Sequence, residues 1–416
     1  VPDWEWPYKL PENWCWLKLV ESFDNHTDSK KKIKQKDYLV KGKLAVVDQG
    51  QELIGGYTND VEKSYSGALP IVIFGDHTRC IKFVDFPFAQ GADGVKVLRP
   101  KPFYLPKAFY YALKSVNIPN LGYRRHFPLF NKFSIPLPPF AEQQRIVDRI
   151  ESLFTKLDEA KEEAQAVVDS FETRKAAILH KAFTGELTAK WREEHGVGME
   201  SWEVRTLDSV CSSIFDGDHM PPPKAESGIP FLVISNVNTG HLTFENTRFV
   251  PQEYYDTLSD TRKPQLGDVL YTLVGSFGIP VVVNSKRPFC FQRHMALLRP
   301  IDVSPQFLWY ILQTPEMYDK ASSIATGTAQ LTVPIKGLRA MTIPRPNIAE
   351  QVEIVRILDG FFAREQSAKE AAEAVLDQID LMKKSILARA FRGELGTNDP
   401  SEESAVELLK EIIRRG

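Results

Sequence analysis

The chain has 416 residues, with 52 Lys and Arg against 54 Asp and Glu, so its formal charge is −2, and 43% of it is hydrophobic. That length and apolar content suit two to four packed domains and exclude a disordered or fibrous chain. No run approaches the roughly 18 uncharged apolar residues of a membrane span. Cys15, Cys80, Cys211 and Cys290 are widely spaced with no Cys-x-x-Cys, which points to a reducing, cytoplasmic setting rather than a disulfide framework or a zinc site. Val1-Pro-Asp-Trp-Glu-Trp6 has no basic stretch followed by an apolar one, so no secretory signal is expected there. Taken alone, the near-neutral total argues against a nucleic-acid binder, because phosphate neutralisation needs Lys and Arg.

In chain order, residues 1–139 read as a compact α/β domain. It contains the basic run Lys30-Lys-Lys-Ile-Lys-Gln-Lys36, β-rich runs at Leu69–Phe74, Thr78–Val84 and Val95–Leu98, and a helix near Pro106–Val116. Residues 140–198 form a helical block introduced by Pro136, Pro138 and Pro139 and ended at Gly185. A second α/β domain follows at 199–347, with runs at Ile229–Ser235, Asp268–Val274, Ile279–Val283 and Met295–Leu298 and a helical stretch around Pro305–Tyr318. A second helical block spans 348–397 and ends at Gly393, and residues 398–416 form a tail with a closing helix.

The helical blocks are copies of one another. Residues 135–187 align without a gap on 343–395, and 24 of the 53 aligned positions are identical. Ile135-Pro-Leu-Pro-Pro-Phe-Ala-Glu-Gln143 matches Ile343-Pro-Arg-Pro-Asn-Ile-Ala-Glu-Gln351, and Ala182-Phe-Thr-Gly-Glu-Leu187 matches Ala390-Phe-Arg-Gly-Glu-Leu395. Pro11-Glu-Asn-Trp14 and Met199-Glu-Ser-Trp202 open the two α/β domains alike, and Leu98-Arg-Pro100 and Leu298-Arg-Pro300 recur inside them, so both domains are expected to share one fold with different loops.

Within each block, seam positions alternate spacings of four and three. Ile146, Ile150, Leu153, Leu157, Ala160, Ala164, Val167, Phe171, Arg174 and Ile178 form one series. Ile354, Leu358, Phe361, Glu365, Ala368, Ala372, Val375, Ile379, Met382 and Ile386 form the other. About 40 residues at 1.5 Å each make a rod of roughly 60 Å. Two copies of one element packed through the same face imply a pseudo-two-fold axis and an antiparallel intramolecular coiled coil, with Ala160 and Ala164 near Ala368 and Ala372 at its centre. The fold class is therefore α+β: two α/β recognition domains separated by two long paired helices. A hairpin that only dimerises the protein is the plainer alternative.

This order of variable domain, repeated helix, variable domain, repeated helix resembles the specificity subunit of type I restriction-modification systems, over essentially the whole chain. The residues that carry the likeness are the Ile135–Val147 and Ile343–Gln351 segments, Lys181-Ala-Phe-Thr-Gly-Glu-Leu187 and Arg389-Ala-Phe-Arg-Gly-Glu-Leu395. Asp216-Gly-Asp-His-Met-Pro-Pro222, Gly228-Ile-Pro-Phe231, Gly327-Thr-Ala-Gln330, Phe74-Gly-Asp-His-Thr-Arg79 and Gly122-Tyr-Arg-Arg-His126 look like that family's target-recognition segments, and Ala405–Ile413 like its closing helix. The resemblance implies a non-catalytic subunit in which each α/β domain reads one half of a bipartite, asymmetric sequence in double-stranded DNA while the rod fixes the spacer. It also implies partners: two methyltransferase subunits that methylate adenine with S-adenosylmethionine, and restriction or motor subunits that use ATP and magnesium. No cofactor or metal is expected on this chain, and no membrane. Direct reading fits the major groove, where base edges distinguish all four base pairs.

Candidate DNA contacts are Lys31 and Lys32 in the basic run; Asp76, His77 and Arg79 in a polar turn; Tyr123, Arg124, Arg125 and His126 after Gly122; and, in the second domain, Asp218, His219, Gln292, Arg293, His294, Thr328 and Gln330. Candidate helix-packing residues are Ile146, Ile150, Leu153, Leu157, Ala164, Phe171, Ile354, Leu358, Phe361, Ala372, Ile379 and Ile386. His77-Thr-Arg-Cys80 lacks further ligands at metal spacing, and the Asp216–Asp218 pair reads equally well as an Asp-Gly turn. There is no Gly-x-Gly-x-x-Gly, no Walker loop and no Asn/Asp-Pro-Pro-Tyr/Phe motif, so a self-contained nuclease or methylase is not expected. The competing class is an interaction scaffold whose α/β domains bind protein.

Split at the repeat boundaries, the charge is uneven. Residues 1–139 carry 20 basic and 14 acidic groups, 140–198 carry 9 and 12, 199–347 carry 13 and 14, and 348–416 carry 10 and 14. A basic first domain and acidic helical blocks lie behind the neutral total, so the first domain is expected to hold non-specific DNA more tightly than the second.

Overall fold

A computed structural model describes residues 7–91, 94–217 and 222–415. The chain divides into two compact units: unit 1 contains Val1–Gln165 and Glu373–Gly416, and unit 2 contains Ala166–Ala372. The division passes through the middle of both helical blocks rather than at their ends, so each unit holds one α/β domain plus half of each block.

The strands of unit 1 are β1 (Cys15–Lys18), β2 (Phe23–Asn25), β3 (Leu44–Val47), β4 (Gly56–Thr58), β5 (Ile71–Gly75), β6 (Ile81–Val84), β7 (Phe88–Gln90), β8 (Val95–Pro100) and β9 (Ser134–Leu137). Helix α1 (Pro106–Ser115) precedes β9, and α2 (Phe140–Asp169) follows it. The strands make a four-stranded antiparallel sheet in the order β2-β8-β5-β6, a three-stranded sheet β4-β3-β7 and a two-stranded ribbon β1-β9.

After α3 (Phe171–Phe183) and α4 (Ala189–His195), unit 2 repeats that plan. It has β10 (Glu203–Thr206), α5 (Leu207–Val210), β11 (Cys211–Asp216), β12 (Ile229–Leu232), β13 (Arg248–Val250), α6 (Gln252–Thr257), β14 (Val269–Thr272), β15 (Pro280–Val282), β16 (Cys290–Phe291) and β17 (Met295–Pro300). Then come α7 (Pro305–Ile311), α8 (Pro315–Ile324), α9 (Ile335–Ala340), β18 (Thr342–Arg345) and α10 (Ile348–Ala390). Its sheets are β11-β17-β14-β15, β13-β12-β16 and β10-β18. A parallel pairing recurs as well: β3 with β7 in unit 1 and β12 with β16 in unit 2. One α/β fold is thus used twice. The tail helix α11 (Ala405–Arg415) belongs to unit 1.

Burial explains where the strands lie. β5 is buried at all five residues and β14 at all four, as suits strands flanked on both edges. In unit 1, Val72, Phe74 and Leu98 of the sheet pack with Phe109 and Leu113 of α1, and the same core takes Ile146 and Ile150 of α2 with Leu387 and Ala390 of α10. In unit 2, Tyr271, Leu298, Phe307 and Ile311 pack with Leu179, Ile354 and Leu358. The outer seam residues therefore belong to domain cores, each worth about 1.5–3 kcal/mol when fully buried.

Some elements differ from the sequence reading. The run at Thr78–Val84 is strand only from Ile81, because the residues before it belong to the β5–β6 turn. The run at Ile229–Ser235 leaves the strand after Leu232 because the Asn236 side chain accepts from the Val233 amide at 3.0 Å and donates to the Glu245 carbonyl at 3.0 Å, offering the backbone a local alternative. The stretch at Pro305–Tyr318 is two helices, broken before Pro315 and restarted with the Thr314 side chain accepting from the Met317 amide at 3.3 Å. The first helical block is not one helix: it is interrupted at Ser170, whereas α10 runs unbroken for 43 residues. Gly185 and Gly393 do follow helix ends in the left-handed region, at φ +85° and +75°.

Both helical pairings are antiparallel inside their own unit. In unit 1, Glu142 accepts from Thr397 Oγ1 at 2.6 Å, Arg145 pairs with Glu402 at 2.8 Å, and Lys383 lies 5.2 Å from the Phe154 ring and pairs with Asp158. In unit 2, Lys369 lies 4.9 Å from the Phe171 ring, Arg174 pairs with Glu365 at 2.7 Å, and Arg192 pairs with Glu350 at 2.6 Å. Partner numbers fall steadily as residue numbers rise in unit 2, and in unit 1 they fall from Thr397 and Glu402 at the head of α2 to Lys383 beside Phe154 and Asp158. Ala164, Ala372 and Ile379 are buried; Leu153, Leu157, Phe171, Phe361 and Ile386 are half-buried; Ala160 is half-buried and Ala368 exposed.

Candidate nucleic-acid interface

In unit 1 the β5–β6 turn and the segment 120–127 are locked together. Gly75 and Cys80 close the turn through a 2.8 Å backbone hydrogen bond, and Arg79 takes φ +63°, a conformation that strains a side-chain-bearing residue. Its guanidinium donates to the Ile118 carbonyl at 3.0 Å, which holds it there. Asp76 is buried and accepts from the amides of His126 and Phe127 at 2.9 and 2.7 Å. His126 is wholly buried: its Nε2 accepts from the Leu121 amide at 3.1 Å, which leaves Nδ1–H to donate to the Asp76 carbonyl at 2.9 Å.

Asp76 and His126 therefore face inward, and the expectation that they touch DNA is corrected: a buried carboxylate and imidazole with all these bonds position the loop instead. What they present is Tyr123, 86% exposed, with exposed Arg124 and Arg125 beside it. The His77 ring stacks on Tyr123, centroids 4.9 Å apart at 15°, and its Nδ1 lies 3.2 Å from the Tyr123 carbonyl. His77 is half-buried, and Arg79 is tied to Ile118. Gln49, which carried no signal in the sequence, accepts from the His77 amide at 3.2 Å. In the basic run, Lys31 donates to the Ser64 carbonyl at 3.2 Å, Lys32 is half-buried, and Lys30, Lys34 and Lys36 are exposed.

Unit 2 builds the matching corner from other residues. Val333 donates to the Leu273 carbonyl at 2.8 Å, Gly275 to Leu331 at 3.0 Å, and Leu273 to His294 at 2.8 Å, which draws the segments 273–275, 292–294 and 326–335 together. Gly275 and Gly327 sit at φ +71° and +111°, where glycine is favoured. Arg293, Thr328 and Gln330 are exposed, and Asp216, Arg293, His294 and Gln330 border a cavity of about 390 Å³. Gln292 Nε2 lies 2.7 Å from His294 Nδ1, so the amide donates and Nδ1 accepts. Burial, with Arg293 adding to it, holds the His294 imidazole below its ordinary value of 6.5. Asp218 and His219 lie outside the described residues.

The repeated Ala-Glu-Gln has a defined task in both units. Gln143 accepts from the Leu105 amide at 2.7 Å at the start of α1, and Gln351 accepts from the Ser304 amide at 2.9 Å at the start of α7, pinning each helical block to its domain. Glu350 is fully buried and holds Thr188 Oγ1, Arg192 Nη1 and Trp202 Nε1 at 2.7, 2.6 and 2.9 Å. Glu142, equally buried, holds Thr397 and Arg145 at 2.6 and 2.7 Å. In each unit the head of one block is thus fastened to the end of the other.

One module used twice, with different polar corners and interlocked helical blocks, defines a duplicated recognition scaffold. The chain belongs to the type I restriction modification DNA specificity domain family, whose model matches residues 11–168 and 199–376. It is 27% identical over 305 residues to the type I restriction enzyme EcoKI specificity subunit of Escherichia coli K12, covering 68% of this chain and 64% of that one. It is 26% identical over 343 residues to the EcoBI specificity subunit of Escherichia coli, covering 74% and 71%. Among solved structures, the HsdS subunit from Thermoanaerobacter tengcongensis superposes with a TM-score of 0.62 at 21% identity, over 94% of this chain and all of that one. A chain from a structure on complex assembly and conformational transition of the type I restriction-modification system gives 0.65 at 20%, with the same coverage. Among the described residues no helix is long and apolar enough to cross a membrane.

Proposed function

We propose that this chain reads a bipartite DNA sequence for a type I restriction-modification complex and carries no chemistry of its own. The observation that carries the reading is the repetition of one sheet plan with two different exposed corners: Tyr123, Arg124 and Arg125 in unit 1, and Arg293, Thr328 and Gln330 in unit 2. Arg forks suit guanine edges and Gln suits adenine, so two dissimilar corners on a duplicated frame read two dissimilar half-sites. The paired helices act as the ruler that sets the unread spacer, as fixed spacing between recognition elements does in dimeric readers. In this reading the acidic helical blocks dock two methyltransferase subunits. Partner subunits, in the cytoplasm, handle S-adenosylmethionine, ATP and magnesium. The names of the relatives support the same role.

Duplex binding by the full chain, measured across salt concentrations, tests the reading. Affinity should fall steeply with salt, because phosphate contacts release counterions. A flat dependence would favour instead a scaffold whose α/β domains bind protein.

A further inference from the structure

Unit 1 contains a cleft of about 950 Å³ where strand β6, the edge of the four-stranded sheet, meets the end of α1. Arg79, Lys82, Lys114 and Lys384 line it, and no Asp or Glu does among the described residues. In a chain with more carboxylates than cations, a lining of a single sign is a marked departure from composition. Lys82 is buried; its Nζ donates to the Glu52 carbonyl and lies 3.5 Å from Asp48, so that neighbour offsets part of its charge. Arg79 is anchored to Ile118. Those two residues shape the wall. Lys114 and Lys384 are exposed, and Lys114 rests 5.0 Å from the Tyr110 ring, with Phe83 continuing the apolar side of the cleft.

Two further features say what the cleft is for. Thr78 and Arg79 belong both to the cleft and to the turn that carries His77, so the cleft opens directly from the reading corner. Lys384 comes from α10, so the same cleft reaches the helical block. Among the described residues, the corresponding elements of unit 2 carry no equivalent set. Its matching edge, Ile279–Val283, and its matching helix, α7, contain no Lys or Arg, and the residue aligned with Lys384 is Ala176.

We infer that this cleft grips the phosphate backbone of the duplex beside the half-site read by unit 1. The inference rests on the DNA-reading function proposed above. The cleft is much too large for one phosphate group, its cations are spread from sheet to helix, and its aromatic side offers packing for sugars. Contacts of this kind fix register and orientation without reading bases. The grip is one-sided: it holds the first half-site and leaves the second to be recognised mainly through base edges, in keeping with the excess of basic groups in residues 1–139 and its absence in 199–347.

The test is duplex binding by the full chain, using a random-sequence duplex of a few helical turns over a salt series. Wild type is compared with Lys114→Ala/Lys384→Ala and with Lys190→Ala, which removes an exposed cation of α4. Each lost phosphate contact lowers the slope of log affinity on log salt by about 0.9, so the double variant should be about 1.8 less steep, with Lys190→Ala unchanged. Thermal melting of the double variant should match wild type, because both lysines are exposed. A double variant with the wild-type slope overturns the inference while leaving the DNA reading intact. No salt dependence in wild type overturns both. A wild-type slope combined with loss of co-purifying methyltransferase subunit would assign the cleft to an acidic protein surface and overturn the phosphate assignment.

Discussion

Arg174 Nε donates to Glu365 Oε2 at 2.7 Å, and these are the charged members of the two otherwise apolar seam series. The repeat relates them to Leu157 and Met382, so the corresponding pair in unit 1 is apolar. The ion pair sits where α2 gives way to α3: Arg174 also donates to the Val167 carbonyl at 3.2 Å and to the Ser170 hydroxyl, taking up backbone and side-chain oxygens at the break. Pairing two copies of the first block would set Arg174 against Leu157, and two copies of the second would set Glu365 against Met382. Only the mixed pairing matches charge with charge.

Glu365→Leu should therefore cost about 1–2 kcal/mol, since it strands a half-buried guanidinium. Arg174→Met/Glu365→Leu, which copies the unit 1 residues, should restore most of that loss. Urea unfolding of the two singles and the double closes the cycle, and additive losses would remove the pair from the account.

The two buried glutamates should respond unequally. Glu350→Ala leaves Arg192 buried without its carboxylate and should cost about 3–5 kcal/mol. Glu142→Ala leaves Arg145, which is more exposed, still paired with Glu402 at 2.8 Å, so its loss should be clearly smaller. Urea midpoints of the two variants give the comparison; equal losses would contradict it.

Arg124→Ala and Arg125→Ala should weaken duplex binding without changing thermal stability, by about 1–3 kcal/mol if either fork reads a guanine. Asp76→Ala should lower stability first, because the Phe127 amide loses its carboxylate acceptor and the buried His126 amide keeps only the backbone carbonyl of residue 76. Parallel melting and binding curves separate the two effects.

How much of this was readable from the sequence depended on range. The helical blocks were legible because local spacing and a duplicated motif carry them, and their glycine ends follow from backbone sterics at Gly185 and Gly393. The break at Ser170 was not, since no proline or glycine marks it. Asp76 and His126 looked like surface polar residues, and only the long-range approach of segment 120–127 to the β5–β6 turn buries them. Lys114 and Lys384 are 270 residues apart in sequence, so no local pattern could have placed them in one cleft.

His294 supplies a pH dependence. Its folded value lies below 6.5, and its Nδ1 already accepts from Gln292, which a second ring proton would abolish. The unfolded chain therefore binds the proton more readily than the native one. Stability should fall as pH drops below about 6.5 and level off beneath the folded value. An NMR titration of His294 with its midpoint at or above 6.5 would contradict this.

The central claim is that each α/β domain reads its own half-site while the helices set the distance between them. Exchange of residues 199–342 for the same region of a relative, followed by long-read mapping of methylated adenines in cells expressing the complete complex, tests it most directly. The account predicts that one half of the methylated sequence changes while the other half and the spacer stay as they were. A change in both halves, or in neither, would contradict it.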